Sequence, residues 1–328
     1  MPSQKKLRTD HLSMRHQNRF KIGIDLGGTK IECAVLDTDS KIIFREREKT
    51  PQGDYQGTLQ TIKQLVERAK IELNNHSELS EGQIQNIPVG VGIPGTLSSD
   101  NGRVKNANST CLIGVALDKD LEALLNCSVT LANDANCFVW SEYCDGAARD
   151  HQSAFGVIIG TGVGGGIAIN NGLVAGRNGI AGEWGHNPLP FFPLEDRACY
   201  CGKKDCIETY LSGPAFSNRF NEKLSKNTGK KTHYSSQQIV ELAHQNDSLA
   251  KAHFDEYCKM LAASLTTIIN TLDPDVIVLG GGMSNLPELA QRVESLLPEF
   301  VFSDQLHTRV VKAEHGDSSG VRGAAWLN

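Results

Sequence analysis

The chain has 328 residues, of which 39% are hydrophobic and 22% charged, and its formal net charge is −5. This length exceeds what one hydrophobic core usually organises, so we expect two domains of a globular enzyme. Acidic and basic residues are mixed along most of the chain, which excludes a general nucleic-acid binder that relies on a basic patch. No apolar run is long enough to span a bilayer.

The first twenty residues are basic and polar, without the apolar middle region of a secretory signal. We expect residues 1–19 to form a disordered extension, with Met14 as an alternative start. The absence of a signal predicts a cytoplasmic protein. The nine cysteines are then expected to be thiols or metal ligands rather than disulfides.

The first half of the sequence predicts strands interrupted by one helix. Apolar residues between 54 and 73 recur at helical spacing. The expected strands are Lys21–Asp25, Ile31–Leu36, Lys41–Phe44 and Gln85–Ile93.

The second half repeats the pattern of strand, glycine turn, strand and tight turn. Ala154–Ile159 is followed by the glycine run Gly160–Gly166, a strand at Ile167–Ile169 and the hairpin signal Asn171–Gly172. The repetition predicts two related α/β halves facing each other across a cleft, with a boundary near residue 131. A third glycine turn, Gly280–Gly282, follows another apolar strand.

Glycines after a strand let backbone N–H groups approach phosphate closely, because no Cβ intervenes. Two of these turns also carry a hydroxyl that can donate to phosphate, and Asp25 at the end of the first strand can hold Mg²⁺ or its water shell. The predicted nucleotide-binding residues are Asp25, Gly27, Gly28, Thr29, Lys30, Gly160, Thr161, Gly162, Gly281 and Gly282.

Neither common nucleotide fingerprint fits. The sequence lacks G-x-x-x-x-G-K-[ST], which excludes a P-loop enzyme. Gly160–Gly165 contains G-x-G-x-x-G, but the next residues continue as a strand rather than the helix of a dinucleotide fold. A nicotinamide-dependent oxidoreductase is therefore disfavoured.

One histidine and three cysteines predict a zinc site. His186, Cys199, Cys201 and Cys206 have the spacing H-x₁₂-C-x-C-x₄-C within a polar, loop-like segment. Such a set is typical of tetrahedral zinc, and four protein ligands leave no open position, so the predicted role is structural. The other cysteines lie in apolar stretches and are expected to be small core residues.

Four segments together resemble the ROK family (repressors, ORFs, kinases) of sugar kinases, over residues 21–328. They are Asp25–Lys30, Gly160–Gly166, Gly182–His186 and the Cys199–Cys206 cluster. The resemblance implies an α/β fold of the two-domain actin-like ATPase (ribonuclease H-like) type, with an interdomain cleft and a structural zinc loop. It implies a domain at residues 20–131 completed by a C-terminal helix at 317–328, and a larger domain at 132–316 that contains the zinc loop 186–206.

The resemblance also implies a sugar site with ATP, Mg²⁺ and Zn²⁺ as cofactors. The sugar-binding residues would be Asn108, Asn133, Asp134, Glu183, His186 and Glu208, with Asn106 nearby. Asp134 would be the general base, because a sugar hydroxyl is a poor nucleophile until a carboxylate accepts its proton. His186 would serve both zinc and sugar.

Several segments look closer to the bacterial manno(fructo)kinase branch, which implies transfer to the 6-hydroxyl of fructose. They are Val104–Thr110, Glu183–Pro190, Asp273–Asn285 and His315–Trp326. N-acetylglucosamine kinase and glucokinase of the same family remain alternatives, because hexose epimers differ by only a few kcal/mol per misplaced hydroxyl.

Two alternatives come from other classes. A sugar-responsive transcriptional regulator is disfavoured, because only about twenty residues precede the kinase-like part, too few for a helix-turn-helix domain. A catalytically silent sugar-binding module is disfavoured by Asp134 and the glycine turns. The sequence does not define the oligomeric state, and a homodimer stays open.

The last segment predicts a helix from Val321 to Leu327 that Ser318–Ser319 can cap.

Overall fold

A computed structural model describes residues 20–98, 100–107, 109–229 and 232–328. The chain divides into two compact units. Of the described residues, the first unit comprises those up to Asp150 with Ala168–Ala181 and Asp317–Asn328, and the second comprises those in His151–Ile167 and Gly182–Gly316. The domain bounds inferred from the sequence stay a prediction, and the expected extension at residues 1–19 lies outside the described residues.

The longest helices of the described residues are α1, α6 and α8. The strands are β1 (Lys21–Leu26), β2 (Lys30–Leu36), β3 (Ile42–Lys49), β4 (Val89–Ile93), β5 (Thr96–Leu97), β6 (Val104–Lys105), β7 (Val129–Asn133), β8 (Ser153–Ile159), β9 (Val163–Ile169), β10 (Gly172–Leu173), β11 (Val276–Gly280) and β12 (Arg309–Lys312). The helices are α1 (Tyr55–His76), α2 (Glu81–Gln85), α3 (Leu117–Leu125), α4 (Asp134–Cys144), α5 (Glu208–Leu211), α6 (Gly213–Thr228), α7 (Ser236–His244), α8 (Ser248–Leu272), α9 (Leu289–Leu296) and α10 (Ser319–Ala325).

Two five-stranded sheets share one strand order. The first runs β3-β2-β1-β4-β7 and the second β10-β9-β8-β11-β12, so each has its earliest strand in the centre. In the first sheet β1, β4 and β7 are parallel, and in the second β8, β11 and β12 are parallel. The repeated order is the topology of the predicted actin-like ATPase fold, which is confirmed.

Helix α1 covers one face of the first sheet. It buries Leu59, Ile62, Leu65 and Leu73 at helical spacing, as the sequence predicts. Asp54 caps its start by accepting a hydrogen bond from the backbone N–H of Gly57 at 2.9 Å.

Helix α10 packs on the other face through glycines. A Cβ on Gly23 of β1 or Gly90 of β4 would overlap backbone atoms of α10. A Cβ on Gly323 would overlap the backbone of Cys137 in α4. The last helix therefore lies against the first sheet at a distance that only glycine permits.

The predicted cap of the last helix is wrong. The helix spans Ser319–Ala325, and Ser318 makes no side-chain cap hydrogen bond. The Ser319 hydroxyl instead donates to Glu142 at 2.8 Å, and both side chains are fully buried. A buried carboxylate requires hydrogen-bond donors. The Ser319 hydroxyl therefore donates to Glu142 and does not cap the helix.

Three strand boundaries also differ from the sequence-based expectation, and one of them is the end of β3, which continues past Phe44 to Lys49. Gln85 ends α2, which Ser80 and Gln83 start with reciprocal capping bonds, and the strand begins at Val89. β9 begins at Val163, so Gly164–Gly166 are strand residues and the turn is only three residues long. Glycine is sterically allowed in both states, so its presence alone does not separate turn from strand.

Across the described residues, none of the helices combines the length and apolar character that a membrane crossing requires.

Candidate active site and metal centre

The first glycine turn, residues 27–29, joins β1 to β2 in the first unit. The N–H of Gly27 donates to the Lys30 carbonyl at 2.9 Å. From the end of β3, Thr50 donates its hydroxyl to the Gly27 carbonyl at 2.7 Å and its N–H to Thr29 at 3.1 Å. Gly28, Thr29 and Lys30 remain exposed. The bonds from Thr50 therefore fix the turn while these three residues stay accessible to a ligand.

Asp25 lies beside this turn at the end of β1. Burial raises the pKa of its carboxyl to about 6, and the negative charges of Asp134 and Glu32 add to the effect. Gly320 of α10 packs against it, since a Cβ there would be 3.0 Å from Oδ2. A divalent cation would relieve the repulsion between these acids, and carboxylate oxygen is a ligand that Mg²⁺ prefers.

Asn133 and Asp134 lie where β7 ends and α4 begins. The Asn133 side chain caps α4 by accepting from the N–H of Ala135 at 2.9 Å, and its amide donates to the Gly95 carbonyl at 3.2 Å. Asp134 is exposed, and its Oδ1 accepts from the same Ala135 N–H at 2.8 Å. The helix start thus orients a carboxylate that stays accessible to solvent.

The second glycine turn, Gly160–Gly162, joins β8 to β9 in the second unit. The N–H of Gly213 donates to the Gly160 carbonyl at 2.9 Å, which ties the turn to the start of α6. Glu208 reaches the turn from α5, where its Oε2 accepts from the N–H of Val163 at 2.9 Å. A Cβ on Gly162 would be 2.5 Å from that oxygen, so the approach requires glycine.

The third glycine turn follows β11. Gly281 has φ +79°, and a Cβ there would overlap the backbone of Ile159. Gly281 and Gly282 are exposed. The turn therefore needs glycine for two reasons, its left-handed backbone and its contact with β8.

The predicted zinc ligands come together in the second unit. One donor atom from each of His186, Cys199, Cys201 and Cys206 lies within 4.8 Å of every other. The His186 Nδ1 to Cys199 Sγ distance is 3.6 Å, as is the distance between the Sγ atoms of Cys201 and Cys206. Tetrahedral zinc with ordinary bond lengths requires about 3.6 Å between N and S and about 3.8 Å between two S atoms. The donor set therefore fits zinc.

His186 has a second nitrogen, Nε2, that faces away from the cluster. It lies 3.0 Å from the hydroxyl of Tyr200, an exposed residue between two of the cysteines. Metal-binding histidines usually donate their other N–H to such a partner, which fixes the ring. An aromatic residue inside the C-x-C spacing was the sequence signal for this contact, and sequence reasoning missed it.

Glu183 is exposed and immediately precedes the short turn that carries His186. Trp184 anchors that turn, since its Nε1–H donates to the Gly164 carbonyl at 3.0 Å and its ring meets Phe155 edge-on at 5.9 Å. Asn108, also predicted to bind sugar, lies outside the described residues.

A second group missed from the sequence is a set of charges beside the first glycine turn. Glu32 is buried in β2, and its carboxylate accepts from the Nε–H groups of Arg45 at 2.5 Å and Arg47 at 2.6 Å. The sequence signal for this group was the alternation of basic and acidic residues along β3.

Known proteins resemble this chain over almost its whole length. The model of the ROK family matches residues 21–328. The chain belongs to the ROK family. It is 38% identical over 317 residues to an N-acetyl-D-glucosamine kinase of Vibrio atlanticus, covering 93% of this chain and 98% of the relative.

Solved structures of ROK proteins are similar over almost the whole chain. A ROK hexokinase from Thermus thermophilus has a TM-score of 0.77 at 25% identity, covering 94% of this chain and 97% of the other. A ROK glucokinase from Streptomyces griseus, in complex with glucose and AMPPNP, has a TM-score of 0.73 at 28% identity, covering 94% and 99%. The predicted membership of the ROK family of sugar kinases is confirmed.

Proposed function

We propose that this protein transfers the γ-phosphoryl group of ATP to the 6-hydroxyl of N-acetylglucosamine. The observation that carries the proposal is the 38% identity, over 98% of its length, to a relative named N-acetyl-D-glucosamine kinase. This relative, which is named for another sugar, does not support the fructose preference expected from short segments. We therefore place fructose second.

In the proposed mechanism, residues of the first unit contact the nucleotide, and one of them acts as the general base. Gly27, Gly28 and Thr29 offer donors to phosphate, and Asp25 would hold Mg²⁺, which would neutralise charge on the phosphates. Asp134 accepts the proton of the sugar hydroxyl as the bond to phosphorus forms. Its place at the start of α4 keeps it oriented without burying it.

The proposed sugar contacts come from both carboxylates and amides. Glu183 and Glu208 accept hydrogen bonds from hydroxyls, while Asn133 and Asn108 can both donate and accept. In this fold the Asn133 carbonyl oxygen already accepts from the N–H groups of Ala135 and Asn136, and its amide donates one hydrogen to the Gly95 carbonyl. Its remaining capacity for sugar is therefore the second amide hydrogen. Gly160, Thr161, Gly162, Gly281 and Gly282 complete the proposed phosphate contacts.

The metal in this proposal is structural zinc held by His186, Cys199, Cys201 and Cys206. Zinc bound by these four residues would supply a rigid link between the turn that carries Glu183 and the segment that leads to Glu208. These two acids then keep fixed positions for the sugar, and no step of the phosphoryl transfer passes through the metal.

The sugar is tested by measuring ADP release with N-acetylglucosamine, glucose, mannose and fructose. We expect the highest kcat/KM for N-acetylglucosamine. A higher kcat/KM for fructose would overturn the assigned sugar but leave the kinase assignment intact. No ADP release with any hexose or N-acetylhexosamine would overturn the kinase assignment.

The base is tested with Asp134→Asn. Loss of a general base lowers kcat by about 10²–10⁴-fold. The control is Asp118→Asn, the same change in the first turn of α3, which we expect to keep full activity. Near-normal kcat in Asp134→Asn, at unchanged Tm, would contradict the assignment.

A further inference from the structure

The first glycine turn has a cationic neighbour that neither the sequence motifs nor the fold assign a role. Asp25 pairs with Glu32 across β1 and β2, and Glu32 pairs with Arg47 across β2 and β3. Directly paired residues project from the same face of a sheet. Arg47, Glu32 and Asp25 therefore form one row on the face that α10 covers.

Glu32 holds this row together. Its side chain is only 1% exposed, yet three cations surround it, with Lys30 Nζ at 3.7 Å in addition to Arg45 and Arg47. A buried carboxylate with charged donors is a strong and directional partner. It aligns the arginines without neutralising all of their charge.

Arg47 differs from Arg45 in where it lies along β3. It is two residues closer to Thr50, whose hydroxyl and N–H are bonded to the glycine turn. Its side chain is 43% exposed although its Nε is fixed by Glu32. The Glu32 hydrogen bond raises the pKa of Arg47 above its ordinary value, and the charges of Asp317 and Asp25 add to that shift.

A guanidinium has five N–H donors in a planar fork, and the bond to Glu32 uses the Nε side. The fork matches the geometry of phosphate oxygens, and arginine is preferred where such recognition is bidentate. Arg47 is fixed, exposed and permanently charged, and it lies beside a glycine turn and the aspartate proposed to bind magnesium. These are the properties expected of a phosphate-binding arginine.

We propose that Arg47, held in place by Glu32, binds the polyphosphate of the nucleotide. This inference rests on the proposed function, since it takes the first glycine turn as the phosphate loop. Arg47 is a substrate-binding residue and Glu32 a positioning residue. Arg45 shares Glu32 but serves to hold that carboxylate.

The test measures AMPPNP binding, with Mg²⁺ present, by calorimetry on the full chain. Arg47→Gln is expected to weaken binding by about ten-fold to a hundred-fold, the loss of one charged contact. Arg45→Gln removes the matching bond to the same carboxylate and is expected to change the Kd by less than about two-fold. Arg47→Lys keeps the charge and should recover part of the affinity.

Steady-state kinetics provide a second readout. We expect Arg47→Gln to raise the KM for ATP while leaving the KM for the sugar unchanged, a division that a general loss of stability does not produce. Equal Kd values for Arg47→Gln and Arg45→Gln would overturn the inference. AMPPNP binding needs no acceptor sugar, so that result would leave the kinase assignment standing. A wild-type protein that fails to bind AMPPNP would overturn both.

Discussion

Gly162 lies in the second glycine turn and packs against Glu208, a proposed sugar-binding carboxylate. Gly162→Ala therefore tests the role of this packing in sugar binding. The new Cβ would lie 2.5 Å from Glu208 Oε2. An ordinary contact of this kind is about 3.5 Å. The carboxylate must therefore retreat by about 1 Å. Gly162 does not have a left-handed backbone, so within the described residues the added methyl group acts through this overlap and not through backbone strain.

The expected magnitude follows from the bond that is lost. Glu208 Oε2 accepts from the Val163 N–H at 2.9 Å, and a hydrogen bond to a charged group contributes about 1.5–3 kcal/mol. If Glu208 binds a sugar hydroxyl from this position, its displacement should lower kcat/KM for the sugar by about ten-fold to a hundred-fold. The fold should survive, because the end of a flexible side chain can move.

The assay compares kcat/KM for sugar and for ATP, together with Tm, in Gly162→Ala and Gly160→Ala. Gly160 is the matched control, since a Cβ there meets no atom of the described residues within 4 Å. We expect Gly160→Ala to leave the KM for sugar unchanged. A kcat/KM for sugar within about two-fold of wild type in a stably folded Gly162→Ala would refute the role given to Glu208.

Cys206→Ser should reduce bound zinc from about one ion per chain to a small fraction, measured by elemental mass spectrometry, and lower Tm. Cys111→Ser, outside the cluster, should retain the metal; equal zinc in both would contradict the site. Burial lowers the pKa of His253 to about 4, while its Nε2–H donates to the Phe216 carbonyl at 2.8 Å. The imidazole of this histidine has a pKa of about 6.5 in the unfolded chain. Its contribution to the free energy of unfolding is therefore complete above that pH, and about 3 kcal/mol of it is lost as the pH falls to about 4. Urea unfolding should therefore show a weaker pH dependence between these limits in His253→Gln than in wild type, and equal dependence in the two would refute this sign.

Some features followed from local sequence alone. The apolar spacing of α1, the turns after β1 and β8, and the histidine–cysteine set were all readable because each depends on residues close together in the chain. Helical periodicity, glycine conformation and ligand spacing are short-range properties. The order of motifs then sufficed to predict the family and the fold.

Prediction from the sequence was less accurate where a residue could take either of two structural roles. Ser319 could cap a helix or satisfy a buried carboxylate, and the presence of Glu142 decided the second. The glycines at 164–166 suit a turn or a strand, and pairing with the neighbouring strands decided for the strand. Substrate choice was another such case, because hexoses differ by small energies that short motifs do not encode.

Only the tertiary structure decided which distant residues act together. Glu208 contacts Val163 from 45 residues along the chain, and two strand registers place Arg47 in one row with Glu32 and Asp25. Register depends on which face of each strand is buried, and burial is a property of the whole fold. The sequence by itself determined the local parts, the glycine turns and the metal ligands, because their chemistry is short-range. The pairing of Glu208 with the second glycine turn and of Arg47 with Glu32 required the packed sheets.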